Sequence, residues 1–359
     1  MKKHINPLKS PSVKISALVA GLGLSLGTAA VAFNHVPQSS QPRSQQQLVA
    51  QKPTVQVTLV SYAVTQAAYS KIIPKFVAKW KKEQKQDVQF RQSYGGSGSQ
   101  TRAVIDGLEA DVVQLALAGD INKIQKAGLI KDGWQKEVPN NGTVTRSVVA
   151  LLTRPGNPKK INTWADLAKP GIKTITANPK TSGGAKWNFL ALWGSVTQTG
   201  GTEQKARQFV SQVYKGVPIL PKDAREATDV FLKQGQGDVL LNYENEAILA
   251  KEQGAKFSYK VPTSANISID APVAVVDKNV DKHGTRKVAD AFVKFLFTPE
   301  AQREFANLGF RPVNPAVAKE TSSKFPKINK LFTVEDFGGW GAIDNKFFKD
   351  GKIFDEIVR

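Results

Sequence analysis

The sequence predicts an α/β protein made of two doubly wound lobes joined by extended hinge crossovers. Three observations predict it. Short β-branched or apolar runs alternate with helical spacings from residue 54 to about residue 335. The first of them follow in β-α-β-α-β order, which implies parallel strands with helices on both faces. A second series of the same kind opens at Val148, after the first has run its course. About 300 residues are enough for two separate cores.

Each element has its own signal. Residues 55–60 are β-branched and alternate, a strand; 67–82 place Ile72, Ile73, Phe76, Val77 and Trp80 at helical spacing. A strand at 88–92 runs into Gly95-Gly96-Ser97-Gly98-Ser99, followed by a helix through Val104 and Leu108 and a buried strand at 111–118. In the second series, 148–152 is a strand ended by Arg154-Pro155-Gly156, 164–167 a short helix and 172–176 a strand. Helices are expected at 185–193, 206–214, 227–234 and 244–251, and strands at 217–220 and 238–242. After Pro262 come a core strand at 269–276, amphipathic helices at 285–297 and 299–307, and a helical tail. The lobes are therefore expected at 54–147 with 266–335, and at 148–265, with the tail at 336–359.

The N-terminus reads as a targeting segment. Lys2, Lys3, Lys9 and Lys14 precede an apolar run at 15–33, and Ala30-Val31-Ala32 has the small-x-small pattern of a cleavage site. A signal peptide over 1–32 is favoured over a membrane anchor, because the run is rich in Gly, Ser and Thr. Residues 33–53 are rich in Gln, Ser and Pro and read as a tether with little to bury.

Composition excludes several chemistries. The chain has no Cys and three His, of which His4 and His35 precede the folded part. A His triad, a multi-His metal site and a Cys nucleophile are nearly excluded, and no metal or cofactor is expected. The formal charge is +20; the leader holds four lysines and no acid, so 46 basic and 30 acidic residues remain, a balance of +16. That excess favours anionic partners. Export and the scatter of the charges argue against nucleic acid.

Three stretches carry the functional signal: residues 95–99, Thr181-Ser182-Gly183-Gly184 and Lys222-Asp223-Ala224-Arg225. Each precedes a helix. The first N–H groups of a helix have no partner in their own helix and lie at the positive end of its dipole, so small residues there leave an anion site. All three stretches are expected to follow strands and to face the cleft between the lobes. Ser97, Thr181 and Ser182 would add hydroxyl donors. Asp223 reads as an N-cap, and Arg225 either as an orienting group or as a surface ion pair. No stretch carries a carboxylate placed to accept a proton. Hydrogen phosphate keeps a proton near neutral pH, whereas sulfate only accepts, so a donor-only site favours sulfate.

SYGGSGSQTRAVIDGLEADVVQLALAGDI (93–121), NPKTSGGAKWNFLALWG (178–194), GDVLLNYENEAIL (237–249), PVAVVDK (272–278), GFRPVNP (309–315) and LFTVEDFGGW (331–340) resemble the sulfate- and thiosulfate-binding proteins of ABC importers. The resemblance implies a type II periplasmic-binding fold that closes on one anion. It also implies a periplasmic monomer that does no chemistry and serves a membrane ABC permease. As ligands it implies Ser97, Ser182, Gly183, Gly184, Ala224 and an indole N–H after the 238–242 strand. There the family has Trp-Glu-Asn-Glu and this chain has Tyr243-Glu244-Asn245-Glu246, so Tyr243 takes the sixth position. Ala63 stands where the family has Asp, a change expected to alter support rather than the ligand shell; Asn245 and Glu246 read as structural. The alternatives are the same fold binding molybdate, tungstate or phosphate, and a secreted enzyme acting on anionic esters.

Overall fold

The computed structural model describes residues 52–358. The signal peptide and nearly all of the tether lie outside them. Lys52 and Pro53, read as tether, open the first strand instead.

The elements in chain order are β1 (Lys52–Tyr62), α1 (Gln66–Gln84), β2 (Gln86–Gly95), α2 (Ser97–Ile105), β3 (Val112–Gln114), α3 (Ala118–Lys126), β4 (Thr143–Ser147), β5 (Val149–Thr153) and β6 (Thr174–Ile175). Then follow α4 (Gly183–Thr197), α5 (Glu203–Lys215), α6 (Ala224–Leu232), β7 (Val239–Tyr243), α7 (Glu244–Glu252), β8 (Ser258–Lys260), β9 (Ala265–Ile267) and β10 (Ile269–Val275). The chain finishes with α8 (Asp277–His283), α9 (Arg286–Phe295), α10 (Pro299–Asn307), β11 (Arg311–Pro312), α11 (Pro315–Glu320), β12 (Lys330–Phe332), α12 (Gly339–Ile343) and α13 (Ile353–Ile357).

Two main sheets result. The larger has six strands in the order β11-β4-β10-β3-β1-β2, the smaller four in the order β6-β7-β5-β8. The chain leaves the larger sheet after β4 and enters the smaller at β5, one residue on. It returns at β10. A third pairing, β9 with β12, ties Ala265–Ile267 to the segment before the tail.

The sheets are mixed rather than parallel. β1, β2 and β3 are parallel, as β-α-β order demands, but β10 runs antiparallel to both β3 and β4. In the smaller sheet only β6 and β7 are parallel. The reason is connectivity: β10 arrives from the other sheet, not from a right-handed crossover within its own.

Residues 217–220 form no strand. Pro218 and Pro221 cannot donate to a ladder, and Ile219 is exposed. The segment accepts only flanking bonds, Thr174 N–H to Gly216 O and Asn178 N–H to Pro221 O. The third anion stretch therefore follows an irregular segment, not a strand.

Apolar strand faces bury as their composition dictates; Val57, Leu59, Val112 and Val273 in the larger sheet and Leu151, Val239 and Leu241 in the smaller are fully buried or nearly so. Helix α4 is buried on all sides from Gly183 to Gly194. Its Phe189 and Trp193 meet Phe347 from the tail and its Trp187 meets Trp340, so the tail is held by aromatic packing.

Candidate anion-binding site

Three helix starts and the end of one strand meet around a small cavity. At the first, β2 ends on Gly95, Gly96 is the N-cap, and Ser97 is the first residue of α2. What reads in sequence as a glycine-rich loop is thus a strand joined directly to a helix. At the second, Ser182 caps α4 and its Oγ accepts the Ala185 N–H at 3.4 Å. At the third, the Asp223 carboxylate accepts the Arg225 and Glu226 N–H groups, both at 2.9 Å, which makes it the N-cap of α6. Tyr243 closes β7.

Donors without acceptors face this space. Among the described residues no hydrogen bond takes the N–H of Ser97, Gly183, Gly184 or Ala224, and all four residues line the cavity. Nor does any acceptor take the hydroxyl hydrogen of Ser182. The Tyr243 hydroxyl is buried with no partner. Burial holds its pKa well above the usual phenol value, so it remains a donor. Gly184 leaves room for that ring: a Cβ there would lie 2.8 Å from Tyr243 Cε2 and 3.0 Å from Oη. All six residues named from sequence line one cavity.

Two hydroxyls named from sequence are spent elsewhere. Ser97 Oγ donates to Asp120 Oδ2 at 2.7 Å and accepts the Ala116 N–H at 3.0 Å, so Ser97 offers the cavity only its N–H. Thr181 Oγ1 donates to Lys222 O at 2.7 Å, with Asn178 O a more distant acceptor at 3.3 Å. Arg225 is partly exposed and forms an ion pair. It donates to the buried Glu246 at 2.9 Å, and burial pushes the Glu246 carboxyl up to about 7.

Ala63, expected from sequence to alter support, lies on the cavity wall in the turn after β1. Sequence reasoning missed two other residues. Asp120 is a buried carboxylate one residue behind the wall, held by Ser97 and by Lys123 at 3.0 Å. It lies on α3, where no element was expected from sequence. Its Ser97 partner is 23 residues away in sequence. Lys186, on the first turn of α4, is also buried; burial lowers its pKa, and Asp344 of the tail answers it at 2.7 Å. Among the described residues no group of His, Cys, Asp and Glu could hold a metal ion.

Neutral N–H and O–H groups converging on a small space suit a binding site, because together they can hold an oxyanion. The profile of the bacterial extracellular solute-binding protein family matches residues 57–311. The chain belongs to that family, whose members are transport components rather than enzymes.

Relatives sharpen the comparison. A sulfate-binding protein of Synechococcus elongatus is 66% identical over 304 residues, 84% of this chain and 86% of the relative. A thiosulfate-binding protein of Pseudomonas aeruginosa is 39% identical over 300 residues, 83% of this chain and 90% of the relative. The solved sulfate-binding protein SubI of Mycobacterium tuberculosis superposes with a TM-score of 0.76 at 41% identity, covering 82% of this chain and all of that one. No helix of the described residues is long and apolar enough to cross a membrane.

Proposed function

We propose that this protein captures one sulfate ion in the cavity between its two sheets and delivers it to a membrane ABC permease. The ligand shell is the N–H of Ser97, Gly183, Gly184 and Ala224 with the hydroxyls of Ser182 and Tyr243. In this reading 54–147 with 266–335 and 148–265 are the two lobes, and residues 1–32 direct a monomeric chain to the periplasm. It needs no nucleic acid and no cofactor.

The observation that carries the proposal is the set of six donors without acceptors around one cavity. Each hydrogen bond to a charged group contributes roughly 1.5–3 kcal/mol. Asp120 is held by Ser97 and Lys123, and Asp223 turns its Oδ1 to the first turn of α6. The wall thus presents chiefly donors, which favours sulfate over hydrogen phosphate. The likeness to a thiosulfate-binding protein makes thiosulfate, equally deprotonated, the second ligand of the same site.

Thermal unfolding with and without anion tests this. Sulfate at about 100 times its Kd should stabilise the native state by roughly 2.7 kcal/mol, and phosphate at the same concentration should do little. Equal stabilisation by phosphate defeats the selectivity argument.

A further inference from the structure

We infer that Thr181 is a positioning residue for anion capture, and that Gly96 is glycine so that the three donor segments can close onto it. The inference rests on the reading of the cavity as the anion site and goes beyond it, since neither residue supplies a ligand atom.

The three helices that face the cavity are capped in different ways. Helices α4 and α6 carry their own N-caps, Ser182 and Asp223. The N-cap of α2 is Gly96, which has no side chain to offer. Its second and third N–H groups, of Gly98 and Ser99, nonetheless find an acceptor: both donate to Thr181 O, at 3.0 and 3.3 Å. That carbonyl belongs to the segment leading into α4, on the smaller-sheet side. The same residue reaches the third segment through its hydroxyl, which donates to Lys222 O at 2.7 Å. Thr181 thus joins residues 96–99, 181–184 and 222–224. A carbonyl from one side caps a helix of the other only while the two sides are together. When they part, the α2 donors revert to water.

Gly96 shows that this approach is built in. Its φ of −61° and ψ of 134° suit any residue, so conformation does not demand glycine. Space does. A Cβ at Gly96 would lie 2.5 Å from Thr181 O and 3.1 Å from Lys222 O, and one at Gly98 would lie 3.2 Å from Thr181 O. Those are backbone atoms, which cannot swing aside. A methyl at position 96 would therefore obstruct the meeting of the segments without straining the fold of either side. In the closed arrangement α2 is capped jointly, with the Ser97 N–H left to the anion and the next two N–H groups given to Thr181.

The test compares wild type, Gly96→Ala and Thr181→Val by sulfate calorimetry, stopped-flow dissociation and solution scattering with and without sulfate. Gly96→Ala should keep the circular dichroism and sulfate-free melting temperature of wild type. It should bind sulfate roughly thirtyfold more weakly, as expected for two lost hydrogen bonds, and should fail to contract when sulfate is added. Thr181→Val keeps the carbonyl and loses the hydroxyl, so affinity should fall about threefold to tenfold through faster dissociation. Wild-type affinity and contraction in Gly96→Ala would overturn the inference. Should Gly96→Ala not fold, its claim to spare the fold is wrong, and unchanged dissociation in Thr181→Val would overturn the rest. Failure of wild type itself to bind sulfate would instead sink the functional reading on which the inference rests.

Discussion

The two sides of the cavity offer unequal shares of the free donors. The larger-sheet side offers one donor, the Ser97 N–H, and commits the Ser97 hydroxyl to Asp120. The smaller-sheet side offers five, from Ser182, Gly183, Gly184, Ala224 and Tyr243. On the proposed function, an anion is held largely by the smaller-sheet side, and the larger-sheet side closes the cage more than it builds it. Substitutions on the two sides should accordingly separate affinity from stability.

The largest effect is expected at Gly184. A Cβ there drives into the Tyr243 ring, so Gly184→Ala should weaken sulfate binding roughly a hundredfold by calorimetry, as overpacking displaces both donors. The helix itself tolerates alanine, so the fold should persist. Tyr243→Phe comes next. Losing one hydrogen bond to a charged group should cost about ten- to a hundredfold in affinity, and Ser182→Ala should cost a similar amount. The Tyr243 variant has a second signature: it removes a buried hydroxyl that has no partner, so the sulfate-free protein should gain about 1 kcal/mol in stability. Wild-type affinity in Tyr243→Phe beside a weakened Ser182→Ala would show that Tyr243 only packs.

Ser97→Ala should reverse that pattern. The N–H stays, so affinity should fall less than about tenfold, while loss of the Asp120 and Ala116 hydrogen bonds should cost about 1–3 kcal/mol in denaturant unfolding. A hundredfold loss of affinity with intact stability would make Ser97 an equal of Ser182 and end the asymmetry.

What could be read from sequence depended on whether the cause was local. Helix α10 shows its own boundaries, with Thr298 as cap and Pro299 in the first turn. The anion stretches were legible because small residues before a helical spacing are a local signal, and the family resemblance placed Tyr243 beside them. Asp120 was not legible, because its role exists only where α3 packs against the start of α2. β4 was hidden for a related reason. Thr143–Ser147 runs almost without a break into β5, and only the third dimension assigns the two strands to different sheets. The hydroxyl of Thr181 looked like a ligand since sequence shows the donor but not the nearer carbonyl that takes it.

The smallest expected effect lies behind the wall. Burial raises the Glu246 carboxyl from about 4.5 to about 7, against the pull of Arg225. The native state therefore binds more proton than the unfolded chain between those values. This contribution to stability is whole below about pH 4.5 and is lost as pH rises through 7. Glu246→Gln should flatten that part of the stability–pH curve, and an unchanged curve would assign the slope to other groups.

Isothermal titration of the wild-type protein with sulfate and then with phosphate, at neutral pH, tests the central claim most directly. Donors without acceptors around one small cavity predict one sulfate per chain with a Kd of ~1 μM or tighter, about −8 kcal/mol, and no displacement by equal phosphate. Phosphate that binds as tightly as sulfate, or sulfate that gives no heat and no saturation, would contradict it.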